Sequence, residues 1–532
     1  MPRILYPTLL ALLLTALATA PLRADDALAR ALAQLAQHGE LRVGAARVRD
    51  SALLHEFYVL RAQQPAWTDP AARAHLLAAV QGVESEGLRP ADYHLAALLA
   101  APPDEPAEAP GMELLRSDAL IRLAAHHLGG KLDPLSVEAE IDLHSPELGA
   151  AAIAQLAAAV DSGDIAGTLQ RLAPQSPVYQ GLKRGLAEYR GIAARGGWPQ
   201  IPEGPTLRPG EHSPRVALLR QRLLASGDLA ADTGADPQFY DPALEAAVRH
   251  FQARHLLAAD AAVGKRTLAA ANVSVDARID QIRVNLERAR WLLHDLPPTH
   301  VLVDIAGFEV RYVREGVELL RSRAAVGRPY RKTPIFRSAI RYLEFNPTWT
   351  VPPTILTNDV LPEIRKNLGY LAKRHMRVLG ADGREVDPAS VDWRRYSGKN
   401  LPWVIRQDPG PENALGQVKF MFPNAHAVYL HDTPERKVFL QAERAFSSGC
   451  IRIEEARRLA LLLLEAEGRS EAEVEAKFAD LKTQRVALAR PVPILLYYWT
   501  VAIEDDGDVL FKRDLYDRDA ELLAALDTTD GD

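Results

Sequence analysis

The sequence predicts a multidomain α+β protein: a helical region, then a small three-helix module, then a mainly β domain broken by one long insertion. Three features of the chain predict this. From residue 25 to about 200, Ala and Leu recur at helical spacing between Pro and Gly interruptions. Residues 206–273 carry three short helix signals, and from about 298 to 505 apolar residues alternate with period two, as in strands. A chain of 532 residues has room for three or four domains of about 150 residues each. Its 48 % hydrophobic and 25 % charged residues suit globular protein, and a net charge of −6 gives no reason to expect a nucleic acid partner.

The first 24 residues read as a secretory signal. Arg3 precedes an apolar run from Thr8 to Ala20, and charge returns at Arg23, Asp25 and Asp26. The run is short for a membrane span, which needs about 20 apolar residues. Cleavage after Ala24 is expected, with an uncleaved anchor over Ile4 to Leu22 as the alternative; either way the body lies outside the cytoplasm. Exported proteins often carry paired cysteines, yet Cys450 stands alone in this chain, so burial alone must hold each core.

In the helical region (25–200), "FYVLRAQQPAWTDP" (57–70) and "VESEGLRPADYHLAALL" (83–99) carry aromatic and turn residues in a distinctive order, and "APPDEPAEAPG" (101–111) reads as an exposed loop. No nucleophile or metal cluster stands out there, so the region is read as a scaffold. In the 206–273 module, Asp241 is a helix N-cap, Pro242 the first helical residue, and Leu244, Ala247, Val248 and Phe251 form one apolar stripe. Val216, Leu219 and Leu223 mark an earlier helix, and a later one follows Gly264. A binding module is the natural reading, a helical spacer the alternative. In the β region (298–505), "HVLVDIAGFEVRYVREG" predicts a hairpin turning at Ala306-Gly307, and strand patterning continues through "LLRSRAAVGRP", "IRYLEFNPTWTVPP" and "HAVYLHD". The insertion at 354–411 is partly helical and too long for a plain connection, which suggests a lid with Trp393 and Trp403 as candidate lid residues. Residues 506–532 are read as a C-terminal extension.

The chemistry concentrates around the cysteine. If residues 424–434 form a strand, alternation puts Tyr429 and His431 on one side and His426 on the other. Ser447-Ser448-Gly449 then makes a turn in which Gly449, lacking a Cβ, lets backbone N–H groups approach a substrate. Glu454 and Glu455 open a helix with the stripe Ala456, Leu459, Ala460 and Leu463, which sets Cys450 just before a helix N-terminus, where thiolate is favoured. With His431 taking the proton and the N–H groups of Gly449 and Cys450 holding an oxyanion, the set is equipped for acyl transfer through a thioester. An inert, buried cysteine is the rival reading.

The stretch resembles the YkuD-type catalytic domain of L,D-transpeptidases, whose signature is a histidine, about fifteen residues, then Ser/Thr-His-Gly-Cys, an apolar residue and Asn or Arg. Here His431 is followed after fifteen residues by Ser447-Ser448-Gly449-Cys450-Ile451-Arg452, with Ser448 replacing the usual histidine. "FNPTWTVPP" (345–353), "RQDPGPENALGQVKFMFPN" (406–424), "HDTPERKVF" (431–439) and "YYWT" (497–500) look like the large periplasmic, YcbB-like branch. Residues 206–273 resemble a peptidoglycan-binding module through Leu219, Leu223, Gly227, Phe239, Ala247-Val248, Phe251-Gln252, Leu256 and "VGKRTL" (263–268).

The resemblance implies a periplasmic enzyme without cofactor or metal, acting on peptidoglycan stem peptides and glycan and able to work beside other wall-synthesis enzymes. Cys450 would attack the third residue of a stem tetrapeptide, His431 would protonate the departing D-Ala, and a diamino acid on a second stem would complete a 3-3 crosslink. Tyr429 would line the acyl pocket or support the oxyanion. Arg452 would meet a substrate carboxylate or an internal salt bridge. Carbapenems would acylate the cysteine. The alternatives are an L,D-carboxypeptidase or other murein cysteine acyltransferase, and a non-catalytic wall-binding scaffold. A zinc peptidase lacks support, because no histidine pair has i, i+4 spacing.

Overall fold

A computed structural model describes residues 24–101, 109–137, 141–231, 236–294, 296–504 and 506–529. The expected signal segment lies almost entirely outside these residues. Four apolar cores organise the rest. The first lies within residues 28–169, where helices such as Pro110–Gly129 and Ala150–Ser162 bury Leu114, Leu120, Ile153 and Leu156 around Phe57, Trp67 and Tyr93. The second belongs to the small module. Its helix Pro242–Ala253 begins at Asp241, whose carboxylate accepts from the Leu244 N–H, and buries the predicted stripe Leu244, Ala247, Val248 and Phe251.

The largest core fills a ten-stranded sheet. The predicted hairpin is present: His300–Asp304 pairs antiparallel with Glu309–Arg314, which pairs with Val317–Gly327. His300–Asp304 also runs parallel to the long strand Gln484–Tyr497, whose other neighbour is Ile335–Phe345. Val418–Met421 pairs with both Ile335–Phe345 and Leu430–His431, so the sheet closes on itself. Inside it lie Val301, Val303, Val310, Ile340, Leu343, Phe420 and Leu496, alternating along their strands as period-two burial requires. Helix Ala456–Glu465 covers one side with Ala456, Leu459, Ala460 and Leu463 buried.

The fourth core is the insertion's own. Helix Leu361–Lys366 and a small sheet of Trp349–Thr350, Val404–Gln407 and Met376–Leu379 enclose Leu361, Ile364, Val378 and Ile405. The insertion thus contains strands as well as the predicted helices.

Two expectations change. Residues 506–529, the described part of the expected extension, are not an appendage: Val509, Phe511, Leu515, Tyr516, Leu522 and Leu526 are buried in the main core, and a buried ion pair joins Lys512 to Asp304. The helical scaffold does not stay separate either. Helix Pro177–Ala194 buries Tyr179, Leu182, Leu186 and Tyr189 in the main core, and Ile141–Asp142 adds a parallel edge to Ile335–Phe345.

A buried polar network fastens that junction. On helix Val275–Leu292, Glu287 and Arg290 are 0 % and 1 % exposed at their side chains and 3.0 Å apart. Glu287 also accepts from the Leu132 N–H at 2.8 Å, while Arg290 donates to the Tyr179 hydroxyl at 3.1 Å and to the Glu86 carbonyl. Removing one partner of such a pair leaves a buried charge uncompensated. Glu287→Ala should therefore cost about 3–5 kcal/mol in denaturant unfolding followed by circular dichroism; a cost near that of a surface substitution would show that the network contributes little.

Candidate active site

Cys450 lies on a cavity of about 1210 Å³ between the closed sheet and the insertion. Another cavity, of about 1300 Å³, separates the small module from the C-terminal strands. It holds no cysteine, and its histidine, His255, is engaged with the Phe251 carbonyl.

The catalytic wall depends on a short parallel pairing. Leu430 faces Ile451 and His431 faces Arg452, with the Ile451 N–H donating to the Tyr429 carbonyl at 3.1 Å. Leu430 and Ile451 are fully buried in the core. Alternation sends Tyr429, His431, Cys450 and Arg452 to the opposite side, and all four line the cavity. The rings of Tyr429 and His431 meet edge to face at 5.6 Å.

His431 is 4 % exposed, and its Nδ1 lies 2.5 Å from the Asp432 carbonyl oxygen. A carbonyl only accepts, so Nδ1 carries the proton and Nε2 keeps its lone pair. Burial, then the Arg452 charge, pushes the imidazole down to about 3, so it is neutral at physiological pH. Cys450 is partly exposed on the cavity, yet desolvation by the surrounding protein raises its thiol above the usual range, against the lowering influence of Tyr429, Lys419 and Arg452. The expected thiolate is overturned on this point. Strand Ile451–Ile453 separates Cys450 from the helix, which begins only at Ala456, so the dipole is out of reach. The resting pair is a thiol beside a neutral imidazole.

The turn ahead of the cysteine is held from several sides. Gly449 has φ +114°, and a Cβ there would find its nearest neighbour 3.5 Å away; backbone conformation rather than space calls for glycine. Its N–H donates to Ser447 Oγ at 3.0 Å, so it is already engaged rather than free for an oxyanion. Its carbonyl accepts from Thr333 Oγ1 at 2.9 Å, and the Thr333 N–H donates to the Tyr516 hydroxyl at 3.1 Å. Ser448 is exposed, and its Oγ accepts from Arg331 at 2.6 Å; Arg331 also pairs with Asp359 of the insertion at 2.9 Å. The serine in the usual histidine position thus ties the turn to the insertion.

Other predicted residues fall as follows. The Tyr429 hydroxyl interacts with the sulfur and stays protonated, because burial, then Cys450, raises it above the usual tyrosine range. Arg452 forms the internal alternative, an ion pair with Glu435 at 2.8 Å. His426 is not turned away from the site. The strand begins only at Leu430, Ala427 takes φ +54°, and His426 lines the cavity with its ring 5.7 Å from that of Phe336. Trp393 and Trp403 support the insertion's core instead of facing the site; Trp349 and Tyr370 line the cavity from that side.

Lys419 was not singled out in the sequence, although it sits within "GQVKFMFPN" on a strand of alternating burial. It faces His431 across the antiparallel pair, and its ammonium lies 4.2 Å from the Tyr429 ring centroid. The cavity wall is cationic: Arg328, Arg331, Lys332, Arg374, Lys419 and Arg452 outnumber Asp359, Glu412 and Glu435. Among the described residues, no three His, Cys, Asp or Glu side chains are grouped to hold a metal.

Residues 298–475 match the L,D-transpeptidase catalytic domain, residues 52–186 a scaffold domain, and residues 212–271 the family described as "Putative peptidoglycan binding domain". The chain is 34 % identical over 255 residues to a protein of Haemophilus influenzae named "Putative L,D-transpeptidase", covering 47 % of this chain and 51 % of that one. The chain thus spans about half the length of this curated relative. Among solved structures, an L,D-transpeptidase from Mycobacterium smegmatis is 13 % identical, with 38 % of this chain and 58 % of that chain covered and a TM-score of 0.18. One from Xylanimonas cellulosilytica is 16 % identical over 56 % of this chain and 100 % of the other, also with a TM-score of 0.18. Superpositions at that score carry no weight for the geometry.

The neutral pair sets an expectation for the sulfur. Iodoacetamide reacts with thiolate, so a raised thiol pKa means less reactive species at neutral pH. Alkylation of Cys450 at about pH 7 should be slower than that of free cysteine and should climb only at a pH above that at which free cysteine ionises. Rapid alkylation with a plateau below neutrality would show a resting thiolate.

Proposed function

We propose that this chain, an enzyme of the L,D-transpeptidase family by its catalytic domain, joins peptidoglycan stem peptides through a thioester on Cys450. The observation that carries the reading is the placement of Cys450 and His431 on one face of a two-strand parallel pair, with the imidazole Nε2 lone pair fixed by the Nδ1–H bond to Asp432.

The mechanism follows from the neutral resting pair. Cys450 attacks the carbonyl of the third residue of a tetrapeptide donor. As the C–S bond forms, the thiol proton passes to His431 Nε2, because neither free thiolate nor free imidazolium is favoured in this buried setting. The carbonyl becomes an oxyanion that we assign to the Cys450 N–H and to the Tyr429 hydroxyl, which interacts with the sulfur. Collapse breaks the C–N bond, the D-Ala amine takes the proton from His431, and the thioester remains. A side-chain amine on a second stem then attacks, its proton moves to His431 and on to the departing sulfur, and a 3-3 crosslink is released. The insertion shields the cavity and holds the turn through Asp359, Arg331 and Ser448. The small module is assigned to binding peptidoglycan. Function in the periplasm would agree with the N-terminal reading.

Incubation with purified disaccharide-tetrapeptide, followed by mass spectrometry, tests the reaction. The expected product is a dimer lacking one D-Ala, absent with Cys450→Ser. Disaccharide-tripeptide alone would indicate an L,D-carboxypeptidase, and unchanged substrate a non-catalytic scaffold.

A further inference from the structure

We propose that Lys419 is a specificity residue: its ammonium binds the free carboxylate of the donor peptide's departing D-amino acid. The inference rests on the acyl-transfer reading above and adds to it the group that selects the donor.

The placement is unusual for a lysine. Its strand, Val418–Met421, lies between Ile335–Phe345 and Leu430–His431, so its backbone is fixed on both sides. Its neighbours Val418 and Phe420 are fully buried, which forces the side chain at 419 to the cavity face. There it is half-buried above the Tyr429 ring at 4.2 Å. Among the described residues no carboxylate lies within ion-pair distance of it. Its cross-strand neighbour Glu344 is turned to Arg485 at 3.8 Å. Of the cations near the turn, Arg331 is committed to Asp359 and Arg452 to Glu435, while Arg328 and Lys332 lie over the rings of Tyr330 and Tyr516. The Glu344 charge favours the ammonium only from beyond ion-pair distance, so this partly desolvated cation over an aromatic face can still take a carboxylate on the cavity side.

The substrate chemistry supplies that charge. In a peptide ending in a D-amino acid, the terminal carboxylate is one carbon beyond the nitrogen of the scissile bond. A cation beside the sulfur can hold it while the carbonyl is attacked. An internal peptide bond has no such charge, so the same contact would favour chain ends over internal amides. Once the D-amino acid departs, the contact leaves with it.

The test measures binding separately from turnover. Three tetrapeptides are titrated by calorimetry into Cys450→Ala and into Cys450→Ala/Lys419→Gln: the free acid, its C-terminal carboxamide, and one in which only the side-chain carboxylate of a diamino acid is amidated. The expected result is a preference for the free acid over the carboxamide of roughly ten- to a hundredfold in Cys450→Ala, lost in the double variant and restored by Lys419→Arg. Lys419→Met serves as a second neutral variant, with circular dichroism confirming the fold of each. A preference that follows the side-chain amidation instead would overturn the assignment to the departing residue. So would an acid preference that survives loss of the lysine. In otherwise native protein, Lys419→Gln should raise KM for the free acid with little change in kcat. Equal loss of kcat on acid and carboxamide donors would instead make it an electrostatic aid to the sulfur. Failure of the native enzyme to form any crosslink would count against the transpeptidase reading and leave the binding preference measurable.

Discussion

The site depends on one constraint: the parallel pairing of Leu430–His431 with Ile451–Arg452. Two residues per strand make a weak ladder by themselves. It persists because Leu430 and Ile451 are sealed into the main core and because the flanking strands, Val418–Met421 and Val317–Gly327, pair outside it. Burying one face fixes register, since a slip by one residue would exchange core and cavity side chains. The same register that buries Leu430 and Ile451 turns His431 and Cys450 to one cavity wall. Hydrophobic packing thereby positions the polar chemistry.

Burial also decides the protonation states. Lys419 and Arg452 favour thiolate and oppose imidazolium, yet desolvation is the largest influence on both groups. It pushes them in opposite directions, so both are neutral at rest. In the proposed reaction, proton transfer is then coupled to bond formation, and the developing charge is assigned to the Tyr429 hydroxyl. The insertion lines the same cavity and is held to the turn before Cys450 through Arg331.

Much of this was legible along the chain. Helix stripes such as Leu244, Ala247, Val248 and Phe251, and the hairpin around Ala306-Gly307, are local patterns, and local patterns survive folding. The spacing of His431 and Cys450 singled out two residues that line the same cavity. What failed was geometry set by distant residues. Glu454 and Glu455 suggested an immediate helix, but Ile451 and Ile453 were drawn into the sheet, leaving Cys450 away from the dipole. Gly449 seemed to offer a free N–H, which Ser447 takes up. Thr333 and Tyr516, which brace the turn from 116 residues before it and from beyond the supposed end of the domain, give no signal of spacing or period. Lys419 was not singled out by any motif or spacing; only the closed sheet sets it opposite His431.

The state of His431 is the most direct test of this account. Nitrogen-15 NMR of imidazole-labelled protein, assigned with His431→Gln and followed from about pH 3 to about pH 8, reports both tautomer and titration. The predicted spectrum has the proton on Nδ1 throughout the neutral range, with titration only near about 3. An imidazolium persisting at about pH 6, or a neutral ring protonated on Nε2, would contradict the account, because the lone pair needed to receive the thiol proton would then be absent.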